Sequence, residues 1–381
     1  MLYYLHLLTD WFSPLRMFKY ITFRALMGAA TAFLVSVILG PPLIRYLRQI
    51  KMNQQLRDSG GLPSALELDR QLKGTTPTMG GLLIVLAVLV SCALWAVPTN
   101  GYILLALGTM CYMGLIGLRD DYLKFTRKNA RGLAPRHKLL AQLAWVPVVY
   151  LALWLWPDSR LHLQQLSVPF LKEPLIADMG VGCTLIFLAL VLVGCTNAVN
   201  LTDGLDGLAI GCTGSVALSY LFFAYVTGHL VFAKYLQVPF VAGVGELAVF
   251  CGILLGAALG FLWYNCHPAH LFMGDTGSFA LGGAIAAVAI CVKQEITLVL
   301  IGGVFVMEAM SVILQVGYFR LTGGRRLFRC TPIHHHFEML AKEHAQQEGR
   351  NVKVIETMVT VRFWILSIIF ALLGVATLKI R

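Results

Sequence analysis

Most of the chemically capable side chains in this sequence fall into a few short stretches. GLRDDYLK sets two adjacent carboxylates, Asp120 and Asp121, at the end of an apolar run. Carboxylates at a helix C-terminus face the unfavourable end of the macrodipole. Something must hold them there, either Arg119 and Lys124 or a divalent cation; a solvated helix end is the bland alternative. Mg²⁺ suits such a pair, because it binds through one or two carboxylates plus substrate phosphate oxygens.

In TNAVNLTDGLDGLA, Asn197, Asn200, Asp203 and Asp206 recur every three residues. They form a polar stripe if the helix persists, and Gly204 and Gly207 then let the chain turn tightly into the next apolar run. An Asp/Gly turn alone explains the glycines but not four polar residues in register. NCHPAHLFMGDTGS adds Asn265, His267, His270 and Asp275, and Asp-Thr-Gly there reads as a helix N-terminus, an end that attracts phosphate oxygens. Capping explains Asp275 but not Phe272, an aromatic expected to be exposed and able to stack on a base. TPIHHHFE carries His334, His335 and His336, suited to donating to phosphate or sugar oxygens near neutral pH. Glu308 and Gln315 lie seven apart on a helix face directed toward that loop, and an intramembrane Glu is a functional candidate by default. LKGTTPTMGG supplies Lys73 as a phosphate or base contact.

What must position these residues is a membrane protein. Of 381 residues, 58% are apolar and 13% charged, too greasy for a soluble globular chain. A disordered chain, a coiled coil, a secreted disulfide scaffold and a nucleic-acid-binding domain are excluded. Runs long enough to cross a bilayer fall at 22–44, 79–97, 102–118, 138–156, 181–199, 207–227, 245–264, 277–292, 296–318 and 361–378. The expected fold is therefore all-α and polytopic, a single ten-helix domain over residues 21–381, preceded by a periplasmic or interfacial segment 1–20 whose aromatic and basic residues suit an interfacial helix. No cleaved signal peptide is expected. Seven of the nine Cys lie in or beside apolar runs and no CxxC occurs, so they read as small buried hydrophobes rather than disulfides or zinc ligands.

Charge sets the expected orientation. The loops 45–73, 119–138 and 320–353, with Arg362, hold 21 of the 30 Lys+Arg, and the other side holds nine. By the positive-inside rule the 21-residue side is cytoplasmic and both termini are periplasmic. The net charge of +11 is thus mostly topological, with attraction to anionic headgroups or a phosphorylated substrate as a second use. Every cluster above then falls at the cytoplasmic face. A structural protein has no reason for that asymmetry, whereas an enzyme joining a cytosolic polar substrate to a membrane-held lipid does.

KGTTPTMGG, GLRDDYLK, NAVNLTDGLDGLA, FMGDTGS and PIHHHFE, in this order on ten spans, resemble the phospho-N-acetylmuramoyl-pentapeptide transferase family of bacterial peptidoglycan synthesis. The likeness covers roughly residues 20–381. The wider superfamily of polyprenyl-phosphate N-acetylhexosamine-1-phosphate transferases shares the Asp motifs, while PIHHHFE resembles the muramoyl-pentapeptide branch. The departures are a long N-terminal lead and an outer loop of about twenty residues after the fourth span, both away from the motif face.

The resemblance implies a Mg²⁺-dependent phosphotransferase in the bacterial inner membrane, acting in cell-wall biogenesis and so in cell shape and division. UDP-N-acetylmuramoyl-pentapeptide and undecaprenyl phosphate would give lipid I and UMP. Carried over by motif, Asp275 is the Mg²⁺ ligand, and Asp120 and Asp121 bind the metal or lipid phosphate or act as base. Lys73, Gly204, Leu205, Asp206 and Phe272 form the uridine pocket with Asn200 and Asp203 beside it, while Gln315, His334 and His335 line the sugar and peptide side, His334 also counting as catalytic. Membrane lipids are partners, nucleic acid is not, and a homodimer is one arrangement left open. Whether the lipid phosphate attacks directly or a phospho-enzyme forms is also left open. Two rivals stand beside this reading, a sister transferase using UDP-N-acetylglucosamine and a transporter gated at its cytoplasmic end.

Overall fold

The computed structural model describes residues 1–50, 76–127, 132–348 and 354–379. Among the described residues the fold is helical, with a lone antiparallel bridge between Leu166 and Ile176 in place of any sheet. In chain order the helices used here are α1 (Ile21–Gln49), α2 (Gly81–Trp95), α3 (Gly101–Arg127), α4 (Pro135–Leu155), α5 (Gly180–Thr202), α6 (Leu208–Thr227), α7 (Leu247–Asn265), α8 (Gly274–Cys291), α9 (Gly303–Leu321), α10 (Ile333–Gln347) and α11 (Ile355–Ala376). All but α2 and α10 are long and apolar enough to cross a membrane, and α2 is an apolar helix of 15 residues. Each predicted span therefore has its helix, including 277–292, which forms α8. The chain is a multi-pass membrane protein.

Burial orders the bundle. The apolar window of α8 is 89% buried, against 22% in α4 and in α9, so α8 is the central column and the other two face outward. Composition explains the centre: α8 is largely Gly and Ala, which let neighbouring backbones approach closely, the means by which membrane helices gain packing without a hydrophobic drive between them. The approach is tightest at its first turn. A Cβ on Gly117 of α3 would fall 2.1 Å from the carbonyl oxygen of Asp275, and one on Gly81 of α2 would fall 2.1 Å from the nitrogen of Gly277. The start of α8 is thus wedged between α2 and α3, fixing Asp275 beside the end of α3.

At the opposite end of the bundle a buried ion pair ties α1 to the segment before α7. The Arg24 guanidinium donates to both carboxylate oxygens of Glu246, at 2.7 and 2.6 Å. Such forked pairing satisfies a charge that burial would otherwise make costly.

Three expectations are refined. The run 296–318 is two helices, Thr297–Ile301 and α9, parted at Gly302. The N-terminal lead is two short 3₁₀ segments, Leu2–Leu8 and Ser13–Lys19, rather than one interfacial helix, with Phe18 stacked on Trp95 at 5.8 Å. The stripe from Asn197 to Asp206 does not continue as helix, because α5 ends at Thr202 and α6 begins only after Gly207, at φ +76°.

Candidate active site

At one end of the bundle the terminus of α3 and the start of α8 meet, and the ligand atoms of Asp120, Asp121 and Asp275 lie within 4.8 Å of one another. The two neighbours on α3 play different parts. Asp121 serves as a cap supplied by another helix: its carboxylate accepts from the backbone N–H groups of Asp275 and Thr276 at 3.2 and 2.9 Å and from the Thr276 hydroxyl at 2.7 Å. Those donors are the unpaired first-turn groups of α8, and a carboxylate there meets the favourable end of the helix dipole.

Asp120 and Asp275 instead share two lysines. Lys124 lies 2.7 Å from Asp120 and 3.1 Å from Asp275, and Lys138 of α4 lies 3.0 and 2.7 Å from the same pair. The other oxygen of Asp275 accepts from the Asn200 side-chain amide at 3.0 Å, and that amide also donates to Ser278 at 2.8 Å. Three carboxylates against two ammonium groups leave a negative surplus of hard oxygen donors. That donor set fits Mg²⁺.

Asp203, just past the end of α5, borders this cluster. Loss of hydration pushes its carboxyl up to about 8, and the negative charges of Asp275, Asp121 and Asp206 push the same way.

On the α9–α10 side, Glu308 and His334 are both fully buried, and the His334 Nδ1 lies 3.0 Å from a Glu308 carboxylate oxygen. Burial lowers the His334 pKa below its ordinary value, the Glu308 carboxylate only partly opposing it. The imidazole is therefore neutral at neutral pH. Its Nε2 has no hydrogen-bond partner, and a Cβ on Gly204 would fall 2.2 Å from it, which places His334 against the exposed turn after α5. His335 pairs with Glu338 at 2.9 Å, and Lys342 pairs with the same carboxylate at 2.8 Å. Burial alone would raise the Glu338 pKa, but His335 and Lys342 prevail and hold it down to about 2. The Gln315 side-chain oxygen accepts from the backbone N–H groups of Leu327 and Phe328, so that residue pins the loop leading to α10.

The third part is built on the turn between α5 and α6. Asp206 is buried, and one of its oxygens accepts from the Ala269 N–H at 3.1 Å and lies 3.0 Å from the His267 ring. Glu356, at the start of α11, accepts from the Asp206 N–H at 3.0 Å, while the Trp364 indole donates to the Gly207 carbonyl at 3.1 Å. The loop carrying His267 and Ala269 continues to Phe272, whose N–H donates to the Pro77 carbonyl at 2.9 Å and whose own carbonyl accepts from Gly80 at 2.8 Å. Phe272 is half-buried rather than exposed, held between two strands of loop. Leu205 is buried and Gly204 exposed. Lys73 lies outside the described residues, and the chain leaving it arrives at Thr76 and Pro77, beside the Phe272 loop.

Among the described residues, the predicted ones gather at one end of the molecule, with Asn197 as the exception, bonding Gln142 at 2.9 Å away from the carboxylates. Sequence reasoning missed Lys138, Thr276, Ser278 and Glu356. Lys138 was hidden among the seven basic residues of 119–138 that read as topological charge, and Glu356 stands before the last span with no motif around it.

These features define a class, an integral-membrane helical bundle with a carboxylate–lysine centre at one end. Residues 103–293 match the family described as glycosyl transferase family 4. The chain is similar to the phospho-N-acetylmuramoyl-pentapeptide-transferase of Thermodesulfovibrio yellowstonii, 49% identical with 99% of each chain covered. It is 48% identical to the transferase of the same name from Methylacidiphilum infernorum, over the whole of both chains, and 48% identical to that of Syntrophus aciditrophicus over 100% and 99% of the two. The chain belongs to the phospho-N-acetylmuramoyl-pentapeptide-transferase family.

Proposed function

We infer that the protein transfers phospho-N-acetylmuramoyl-pentapeptide from its UDP derivative to undecaprenyl phosphate, giving lipid I and UMP at the cytoplasmic face of a bacterial inner membrane. The observation that carries this reading is the convergence of Asp120, Asp275, Lys124 and Lys138 at the helix ends, in a chain nearly half identical to transferases named for that group.

In this reaction an oxygen of the lipid phosphate attacks the sugar-linked phosphorus of the UDP-sugar, a new diphosphate linkage forms, and the bond to the UMP oxygen breaks. Little covalent chemistry is asked of the protein, so positioning and charge stabilisation dominate. Lys124 and Lys138 are placed to stabilise negative charge on the phosphoryl oxygens. Asp120 holds those lysines and is the carboxylate available to accept a proton from the lipid phosphate, since Asp121 is committed to the start of α8. Asn200 orients Asp275. Mg²⁺, held by Asp275 with Asp120, would supply further positive charge to the diphosphate. The Gly204–Gly207 turn, with Asp206, Phe272 and Lys73, forms the uridine side. His334 offers its free Nε2 beside that turn, while His335 and the loop pinned by Gln315 face the sugar and peptide.

A radiolabelled assay with undecaprenyl phosphate and Mg²⁺ tests the reading. UMP should be released from UDP-N-acetylmuramoyl-pentapeptide and not from UDP-N-acetylglucosamine. The reverse preference would assign the chain to the sister activity.

A further inference from the structure

Lys138 is carried to the carboxylates by α4, a helix with little of its surface inside the bundle. None of its residues from Pro135 to Ala141 is buried, and the first that is buried carries an amide, Gln142, 1% exposed. Gln142 lies one helical turn beyond Lys138, and facing it on α5 Asn197 lies one turn before Asn200. The Asn197 side-chain amide donates to the Gln142 oxygen at 2.9 Å and to the Val193 carbonyl of its own helix at 2.8 Å. The two helices are therefore joined at two levels, about one turn apart. Nearer the site Lys138 and Asn200 meet through Asp275, at 2.7 and 3.0 Å, and one turn deeper the two amides meet directly. On its other side the same stretch of α4 is held by α3: the Tyr112 hydroxyl donates to the Ala141 carbonyl at 2.8 Å, and the Trp145 indole donates to the Thr109 hydroxyl at 3.0 Å.

We propose that Gln142 and Asn197 are positioning residues, their amide bond setting where α4 places Lys138 and where α5 places Asn200 against Asp275. The proposal rests on the transfer reaction inferred above and assigns it two residues that stand away from the carboxylates. Three arguments support it. In a bilayer, lipid competes for apolar contacts as well as a neighbouring helix does, so the weakly buried end of α4 is placed by hydrogen bonds between helices. Polar side chains within membrane-spanning helices are costly and mark function, and stability does not account for Gln142. Its Nε2 has no hydrogen-bond partner among the described residues, and an unmet buried donor is a cost to the fold. The third argument is the precision that the chemistry asks for. A group shifted by about 1 Å from its productive place costs on the order of a hundredfold in rate, and Lys138 is the only site residue on α4.

The test uses the full chain in nanodiscs. Gln142→Met keeps the length of the side chain, removes the unmet donor and leaves Asn197 its bond to Val193, so the melting temperature should equal or exceed that of the wild type. The kcat for UMP release should fall by about tenfold with the KM for each substrate within about twofold, and amide hydrogen exchange over 135–145 should quicken. Exchanging the pair, Gln142→Asn with Asn197→Gln, should recover part of the rate. Because the amide acts through Lys138, Gln142→Met should change the residual turnover of a Lys138→Gln protein by less than about twofold. A lower melting temperature, an unchanged kcat, or the full loss repeated in the Lys138→Gln background would overturn the assignment and leave the reaction intact. A wild type that releases no UMP would overturn the reaction, and exchange over 135–145 would then decide the amide bond by itself, faster exchange in Gln142→Met keeping it and unchanged exchange removing it.

Discussion

Asp120 and Asp121 are adjacent in sequence and differ in what they touch, so their substitutions should separate. Asp121 satisfies three donors at the start of α8. Asp121→Ala strands them in a buried site and should destabilise the protein by roughly 1–3 kcal/mol, visible as a lower melting temperature in detergent. Asp120→Asn keeps an oxygen for the Leu133 N–H but loses the charge that gathers Lys124 and Lys138. It should melt near the wild type and lose most transfer activity. A melting defect confined to the Asp120 variant would reverse the two roles. His334 gives a pH expectation with a definite sign. Its folded pKa is depressed by burial, so its contribution to stability is present above the ordinary value of 6.5 and is lost as pH falls below it. Melting temperature should therefore drop on acidification less steeply in His334→Gln than in the wild type, and parallel profiles would show that the folded imidazole takes up its proton as readily as the unfolded one.

At the scale of elements, α11 is a splint for the turn between α5 and α6. Glu356 and Trp364 hold the backbone of Asp206 and Gly207, and the Thr360 hydroxyl donates to the Asp206 carbonyl. Glu356→Gln weakens a charge-assisted bond without emptying the site. It should raise the KM for the UDP-sugar by about threefold to tenfold with kcat little changed, and a fall in kcat alone would place Glu356 in the chemistry instead. This splint shows where the sequence stops being readable. Asp/Gly-rich turns, adjacent carboxylates and the Asp-Thr-Gly helix start are local patterns with local physical meaning, so the helix ends carrying them could be found. Glu356 sits 150 residues from the N–H it accepts, and Lys138 lies on the helix after its carboxylate partner, so neither leaves a local trace. The continuation of the Asn197 stripe failed for the opposite reason. Gly204 and Gly207 overrode the three-residue period and turned the chain, leaving Asp203 and Asp206 to be placed by the turn rather than by a helix face.

For the whole molecule, small residues in α8 bring the ends of α2, α3, α5 and the helix itself together, and every other part of the site attaches at that same end. The basic-residue split predicts that this end faces the cytoplasm. In single-cysteine variants on intact cells, an impermeant maleimide should label Glu173→Cys and spare the exposed Cys266 beside His267, and labelling of Cys266 from outside would remove the site from the reach of a cytosolic nucleotide sugar. The central claim is that the shared carboxylate–lysine cluster performs phosphoryl transfer. It is tested most directly by UMP release in Asp275→Asn, measured beside UDP-sugar binding and melting temperature. Turnover should fall by at least about a hundredfold with binding and stability close to the wild type, the pattern of charge stabilisation lost in the transition state. Turnover within a few-fold of the wild type at ordinary Mg²⁺ would contradict the account and move the chemistry away from Asp275.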